Sequence, residues 1–169
     1  DANDGSQLLV LTIGQGGSNL VLMPLSSEQE TSRYSSSGLI IDAGFDGNNI
    51  WAVTTESVLF FNNRLEERGT YDFSGKYLEA YAAGSGYLVL RTSDYQMGGQ
   101  SQIVSLSDSG QELGSAMTEA EPVDMAASDE TVAILYSGSV VTYDLRMSPE
   151  GRAECASGTE RVVIRSDGT

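Results

Sequence analysis

Residues 44–62 read GFDGNNIWAVTTESVLFFN, and this stretch decides the fold class. Its turn sequence, Asp46-Gly47-Asn48-Asn49, separates one short apolar run from a second, which begins IWAV. Aspartate, asparagine and glycine tolerate the positive φ that tight turns between twisted strands require. The stretch therefore predicts two antiparallel strands joined by a tight hairpin turn.

The same turn chemistry recurs along the chain at nearly even spacing. Besides 46–49, similar turn sequences begin at residues 3, 84, 128 and 166, so that successive starts are 43, 38, 44 and 38 residues apart. Apolar runs flank the turns, and a more polar segment closes each repeat, as suits an exposed edge strand. A period of about 40 residues with four short strands predicts a propeller blade. We therefore expect an all-β chain in which residues 1–169 form one β-propeller domain, with four blades of four antiparallel strands.

The two ends of the chain are offset from the blades by one strand. If the strands of a blade are lettered a to d from the inside outward, the chain begins at strand b and ends with a strand a at 161–165. Three arrangements stay open. The chain closes on itself, with 162–164 paired to 8–11; it forms half of an eight-bladed ring, closed by a second copy in a homodimer or by further sequence; or it is an open arc with exposed sheet faces.

Composition restricts the chemistry available to the chain. With 24 acidic and 9 basic residues the net charge is −15, which disfavours nucleic-acid and membrane-surface binding. No segment approaches the 18 apolar residues of a membrane span. The chain has no histidine and one cysteine, Cys155, which excludes Ser-His-Asp and Cys-His catalysis as well as histidine or thiolate metal sites.

No cofactor or metal site is predicted. Each turn offers one aspartate rather than the ligand series of a calcium loop, so turn formation explains Asp4, Asp46, Asp129 and Asp167. The glycine-rich stretch 14–17 lacks the spacing of a phosphate-binding loop. The single tryptophan also argues against a quinone-dependent dehydrogenase, whose blades usually each carry one.

Two sets of residues are candidates for function. The loop between strands b and c of the third repeat is long, and it holds Tyr95, Gln96 and Met97, where an exposed tyrosine and methionine would anchor a partner. The leading prediction is therefore a non-enzymatic interaction or sensing module with a protein or glycan partner.

The alternative function is a carbohydrate-active enzyme. Asp42, Asp124 and Glu160 lie near the predicted strands a, where two carboxylates at the propeller axis would cleave a glycoside. No spacing marks a pair, and carboxylates that line a wet channel or end a strand are the simpler interpretation. A purely structural spacer is a third possibility.

Three features of the sequence resemble a known family. They are the stretch TYDFSGKYL at 70–78, the recurrence of Tyr-Asp at 143–144, and the long loop of the third repeat. They resemble the uncharacterised propeller domains of Firmicutes known as DUF5711, over nearly the whole chain. The resemblance implies an extracytoplasmic propeller of the cell envelope that follows a short cytoplasmic tail and one membrane helix. It implies no catalytic residue, because the family has no established activity, and the membrane helix is not part of this chain.

Overall fold

The computed structural model describes residues 6–27, 29–94 and 101–165, and in these residues all regular structure is β. The first sheet contains β1 (Gln7–Gly14), β2 (Gly17–Pro24) and β3 (Ser32–Ser36); the second contains β4 (Ile40–Asp46), β5 (Asn49–Thr54), β6 (Ser57–Asn62) and β7 (Glu67–Asp72); the third contains β8 (Lys76–Ala83), β9 (Tyr87–Asp94), β10 (Gln102–Ser107) and β11 (Glu112–Met117); the fourth contains β12 (Asp124–Ser128), β13 (Thr131–Tyr136), β14 (Ser139–Tyr143) and β15 (Pro149–Glu154). No helix in these ranges is long and apolar enough to cross a membrane.

Each sheet is an antiparallel meander in which strands that follow one another in sequence are paired. The second, third and fourth sheets hold the predicted strands a, b, c and d in that order, and the first holds b, c and d. Residues 161–165, the predicted final strand a, form no strand in this structure. The N–H of Val162 donates instead to the Asp124 carboxylate, at 2.9 Å.

The described residues divide into two compact units. Unit 1 contains the first two sheets and Asp108–Gln111, and unit 2 contains the last two sheets and the segment that follows them. The core of unit 1 consists of buried residues from strands β2, β4, β5 and β6, together with Leu65; that of unit 2 consists of buried residues from β9, β10, β12, β13 and β14, together with Met147. Each buried aliphatic or aromatic side chain contributes about 1.5–3 kcal/mol. That residues 1–169 act as one domain stays a prediction.

The predicted hairpin turns are present where the structure describes them. Asp46 pairs with Asn49 and Ser128 with Thr131, so that each turn has two central residues. The first of the two has positive φ in both turns, 60° at Gly47 and 47° at Asp129, as in a type II′ turn. Residues 3–5 and 166–169 lie outside the described residues.

A second kind of turn joins strands c and d in the second and fourth sheets. Asn62 and Asp144 each accept hydrogen bonds from the backbone N–H groups two and four residues later, at 2.8–3.1 Å. The residue three positions later, Leu65 or Met147, has a φ of 58° or 60° and is buried. The Tyr-Asp pair at 143–144 therefore serves a structural purpose, since its aspartate holds this turn.

Candidate functional site

The sequence-predicted loop residues Tyr95, Gln96 and Met97 lie outside the described residues, but both ends of that segment are described. Ser101 follows the segment and is 7% exposed. Its hydroxyl donates to Glu79 Oε2 at 2.6 Å. Side-chain bonds thus hold the base of the loop against β8.

Arg91 on β9 connects this base to the next sheet. Its Nη1 donates to the Pro122 carbonyl oxygen at 2.8 Å, and its Nε lies 3.0 Å from Glu79 Oε2. The second contact is an ion pair without the angle of a hydrogen bond. The Arg91 side chain is only 15% exposed, and Glu79 is the counter-ion of this largely buried cation.

The environment of Glu79 favours its ionised form. Partial burial raises the pKa of this carboxyl, but hydrogen bonds from Ser101 and Ser93 and the charge of Arg91 outweigh burial and leave the pKa below its ordinary value. Glu79 sits at a β-bulge, where the register of β8 against β9 shifts between Leu78 and Ala80. A bulge re-aims the side chain next to it, which accounts for the direction of the carboxylate.

Pro122 is also part of a pocket of about 650 Å³, called here the unit 2 pocket. The pocket lies between the β11–β12 connection and the β13–β14 hairpin, and all of its lining residues belong to unit 2. The lining consists of Glu119, Ala120, Glu121, Pro122, Val123, Tyr136, Ser137, Ser139 and Arg152.

The charged groups of the unit 2 pocket leave an excess of negative charge. Arg152 donates to Glu119 Oε2 at 2.8 Å and to Ser139 Oγ at 3.1 Å. The bond to Glu119 raises the pKa of Arg152, so this guanidinium stays charged. Within the described ranges Glu121 makes no ion pair. Two carboxylates against one cation make the pocket suitable for a positively charged group.

The inner wall of the pocket is made by a buried tyrosine. Tyr136 is 3% exposed, and its hydroxyl lies 3.4 Å from that of Tyr143. Burial, followed by the hydrogen bond with Tyr136, raises the pKa of Tyr143 well above the ordinary tyrosine value. The Tyr143 phenol therefore remains neutral at physiological pH.

Two of the three carboxylates proposed for catalysis accept hydrogen bonds from backbone N–H groups. Asp42 Oδ1 accepts from the Ala43 N–H at 2.8 Å, and Asp124 Oδ2 accepts from Val162. Asp42 belongs to unit 1, whereas Asp124 and Glu160 belong to unit 2.

The perturbed carboxyls of the described residues, Glu30, Asp72 and Glu79, all have lowered pKa values. The same ranges contain no group of three histidine, cysteine or acidic residues able to hold a metal. The glycine-rich stretch 14–17 is the turn between β1 and β2.

Sequence reasoning missed the unit 2 pocket. A signal was present in the run TEAEP at 118–122, where two glutamates precede a proline in a connection between strands. Nothing local, however, indicated that Arg152 would reach Glu119 from 33 residues away.

No family model and no curated protein matches the sequence, but solved structures match the fold. Sqt1 from Saccharomyces cerevisiae has a TM-score of 0.61 and 8% identity, over 86% of this chain and 43% of Sqt1. The WD40 domain of Pan2 from Neurospora crassa has a TM-score of 0.56 and 12% identity, over 90% of this chain and 47% of the domain. A europium-containing methanol dehydrogenase has a TM-score of 0.63 and 7% identity, over 90% of this chain and 40% of the enzyme.

This chain spans less than half the length of each of these three proteins. At such low identity the likeness shows the fold alone, and the fold occurs in both WD40 domains and an enzyme. The observed sheets and these neighbours confirm the predicted fold class, and the chain is an all-β propeller whose fold is similar to that of WD40 domains.

Proposed function

We propose that this chain is a non-enzymatic interaction module of the cell envelope, outside the cytoplasm, and that it binds an extended, cationic segment of a partner protein in the unit 2 pocket. The observation that carries the proposal is the charge of that pocket, where Glu119 and Glu121 face the single cation Arg152. A lysine or arginine of the partner would pair with Glu121. The half-exposed Glu119–Arg152 pair is accessible for exchange with an incoming cation.

The predicted loop contributes a second set of contacts in this proposal. Arg91 bonds to both Glu79, which holds the base of the loop, and Pro122, which lines the pocket. Tyr95 and Met97 are separated from that base by only a few residues of sequence. We expect them to add apolar contacts beside the ionic ones, as aromatic and methionine side chains do at interfaces.

Placement in the envelope rests on the resemblance to the DUF5711 propellers. Protease added to intact cells of the source organism tests it, with an immunoblot for this chain as readout. Digestion in intact cells supports the placement, whereas protection until the cells are lysed contradicts it.

A displayed peptide library tests the ligand class. We expect enriched peptides to contain lysine or arginine beside an apolar residue, with binding that weakens as salt is raised. Glu121→Gln should weaken binding of an enriched peptide about 2–5-fold, the range for one accessible ion pair. Arg152→Gln should strengthen it by a similar factor, because the competing cation is removed.

The matched control is Glu130→Gln. Glu130 is an exposed acid at the other end of β13, in the β12–β13 turn, so it changes the net charge equally without touching the pocket. If E121Q and E130Q had equal effects, binding would depend only on the overall charge of −15, and the proposed site would be contradicted. Enrichment of acidic peptides, or binding of neutral oligosaccharides alone, would contradict the ligand class.

A further inference from the structure

The first sheet lacks the strand that begins each of the other three. Among the described strands β1 pairs with β2 alone, so none of them lies beside its second edge. Gly14 and Gly17 flank a two-residue turn, and in such a hairpin the flanking pair and every second residue from it bond across to β2. The backbone groups of Leu9, Leu11 and Ile13 consequently face the open edge.

An open edge of this kind is a template for another strand. β1 is eight residues long and reads QLLVLTIG, without the lysine, proline or bulge that commonly protects an edge. Side chains on it are also uncovered, since Leu8 is 45% exposed and Ile13 is 62% exposed.

The segment 161–165 has the properties of the missing strand. Its sequence, Arg-Val-Val-Ile-Arg, contains three β-branched residues in a row, which favour strands. Exposure alternates along it in the two-residue period of a strand, with Val163 85% exposed. In sequence it is followed by Ser-Asp-Gly-Thr, which resembles the turns that lead from strand a to strand b in the other sheets.

The positive charge of this segment favours its binding to an acidic surface. The five residues include Arg161 and Arg165, two of only nine basic residues in a chain of net charge −15. A second copy of the chain presents such a surface.

We propose that residues 161–165 of one copy form the fourth strand of the first sheet of a second copy, through β1, and that the exchange is reciprocal. In the described residues the first sheet has three strands, and residues 161–165 form no strand. The pairing supplies strand a to the three-stranded sheet of each copy, and the two copies are related by a two-fold axis. Eight four-stranded sheets result, four in each copy.

Light scattering at several protein concentrations tests the stoichiometry. We expect a mass of twice the chain's 18.0 kDa. N–H groups alternate in direction along a strand, so only one of Val163 and Ile164 would donate a hydrogen bond to β1. The proline variant at that position, Val163→Pro or Ile164→Pro, removes this donor and should weaken dimerisation about 100-fold. Val163→Thr and Ile164→Val keep the β-branch and are the matched controls, which should remain dimeric.

Cross-linking identifies the partner of β1. In a Cys155→Ser background, chains with Ile13→Cys are mixed with chains with Val163→Cys and treated with a short thiol-specific cross-linker. A cross-linked product of two chains is expected. Three results would overturn the proposal. The wild type could be monomeric at all concentrations, or it could form a dimer that neither proline variant weakens. The third is a cross-link that forms only within one chain of the I13C/V163C double variant. The outcome is independent of peptide binding at the unit 2 pocket.

Discussion

Replacing Gly114 by alanine should destabilise unit 2. A Cβ atom at this position of β11 would lie closer than 3.0 Å to the backbone C, O and Cα atoms of Arg146, in the turn that follows β14. Backbone atoms cannot rotate away as a side chain does. The turn would have to move by roughly 1 Å before normal van der Waals contact is restored, and overpacking of this kind costs about 1–3 kcal/mol.

The displacement would also disturb a buried hydrogen bond. Ser105 is fully buried, and its hydroxyl donates to the Leu145 carbonyl oxygen in the same turn. Weakening this bond adds about 0.5–1.5 kcal/mol. The expected loss for G114A is therefore about 2–4 kcal/mol in the free energy of unfolding.

Guanidinium chloride unfolding followed by circular dichroism measures the loss, and thermal unfolding should show a melting temperature lower by about 5–15 °C. Gly14→Ala is the control. A Cβ atom added to Gly14 would have no neighbour within 4 Å, and the residue has no positive φ, so alanine there should be neutral or stabilising by up to about 1 kcal/mol. If G114A were as stable as G14A, the close approach of the turn to β11 would be refuted.

Two further predictions concern the turn held by Asp144 and the ion pair between Glu79 and Arg91. Asp144→Ala should lower the unfolding free energy by about 1–3 kcal/mol, because two backbone N–H groups lose their acceptor; Asp144→Asn, which keeps that acceptor, should recover most of the loss in the same denaturant titration, and equal losses in both variants would contradict the role of the turn. Glu79 has a folded-state pKa below its ordinary 4.5, so its contribution to stability is present above pH 4.5 and is lost as pH falls through the folded pKa. Unfolding titrations from pH 6 to pH 2.5 should show a smaller acid-induced loss for Glu79→Gln than for the wild type, and parallel curves would count against this ion pair.

The repeat was readable from sequence because its signals are local. The run Val132-Ala133-Ile134-Leu135 and the turn before it specify β13 without reference to the rest of the chain. The failure at 161–165 has the opposite cause, since a strand needs a neighbour and sequence does not say whether one is in reach. The β-branched residues favour a strand, but the segment forms none in this structure, and Val162 donates to the Asp124 carboxylate.

The unit 2 pocket depended on contacts that no local pattern encodes. Arg91 reaches Pro122 across 31 residues of sequence, and Glu79 is aimed by a bulge that no glycine marks. The left-handed conformations of Leu65 and Met147 were equally hidden, because apolar side chains rarely adopt positive φ. Here the burial of each side chain offsets the backbone strain.

The two turns held by the side chains of Asn62 and Asp144 also bear on the ancestry of the chain. Asn62 and Asp144 stand 82 positions apart, which is two repeats rather than one, and each turn belongs to the last complete sheet of its unit. In the intervening third sheet, Gly110 takes the corresponding left-handed position. A spacing of two repeats is what duplication of a gene segment encoding a pair of blades would leave.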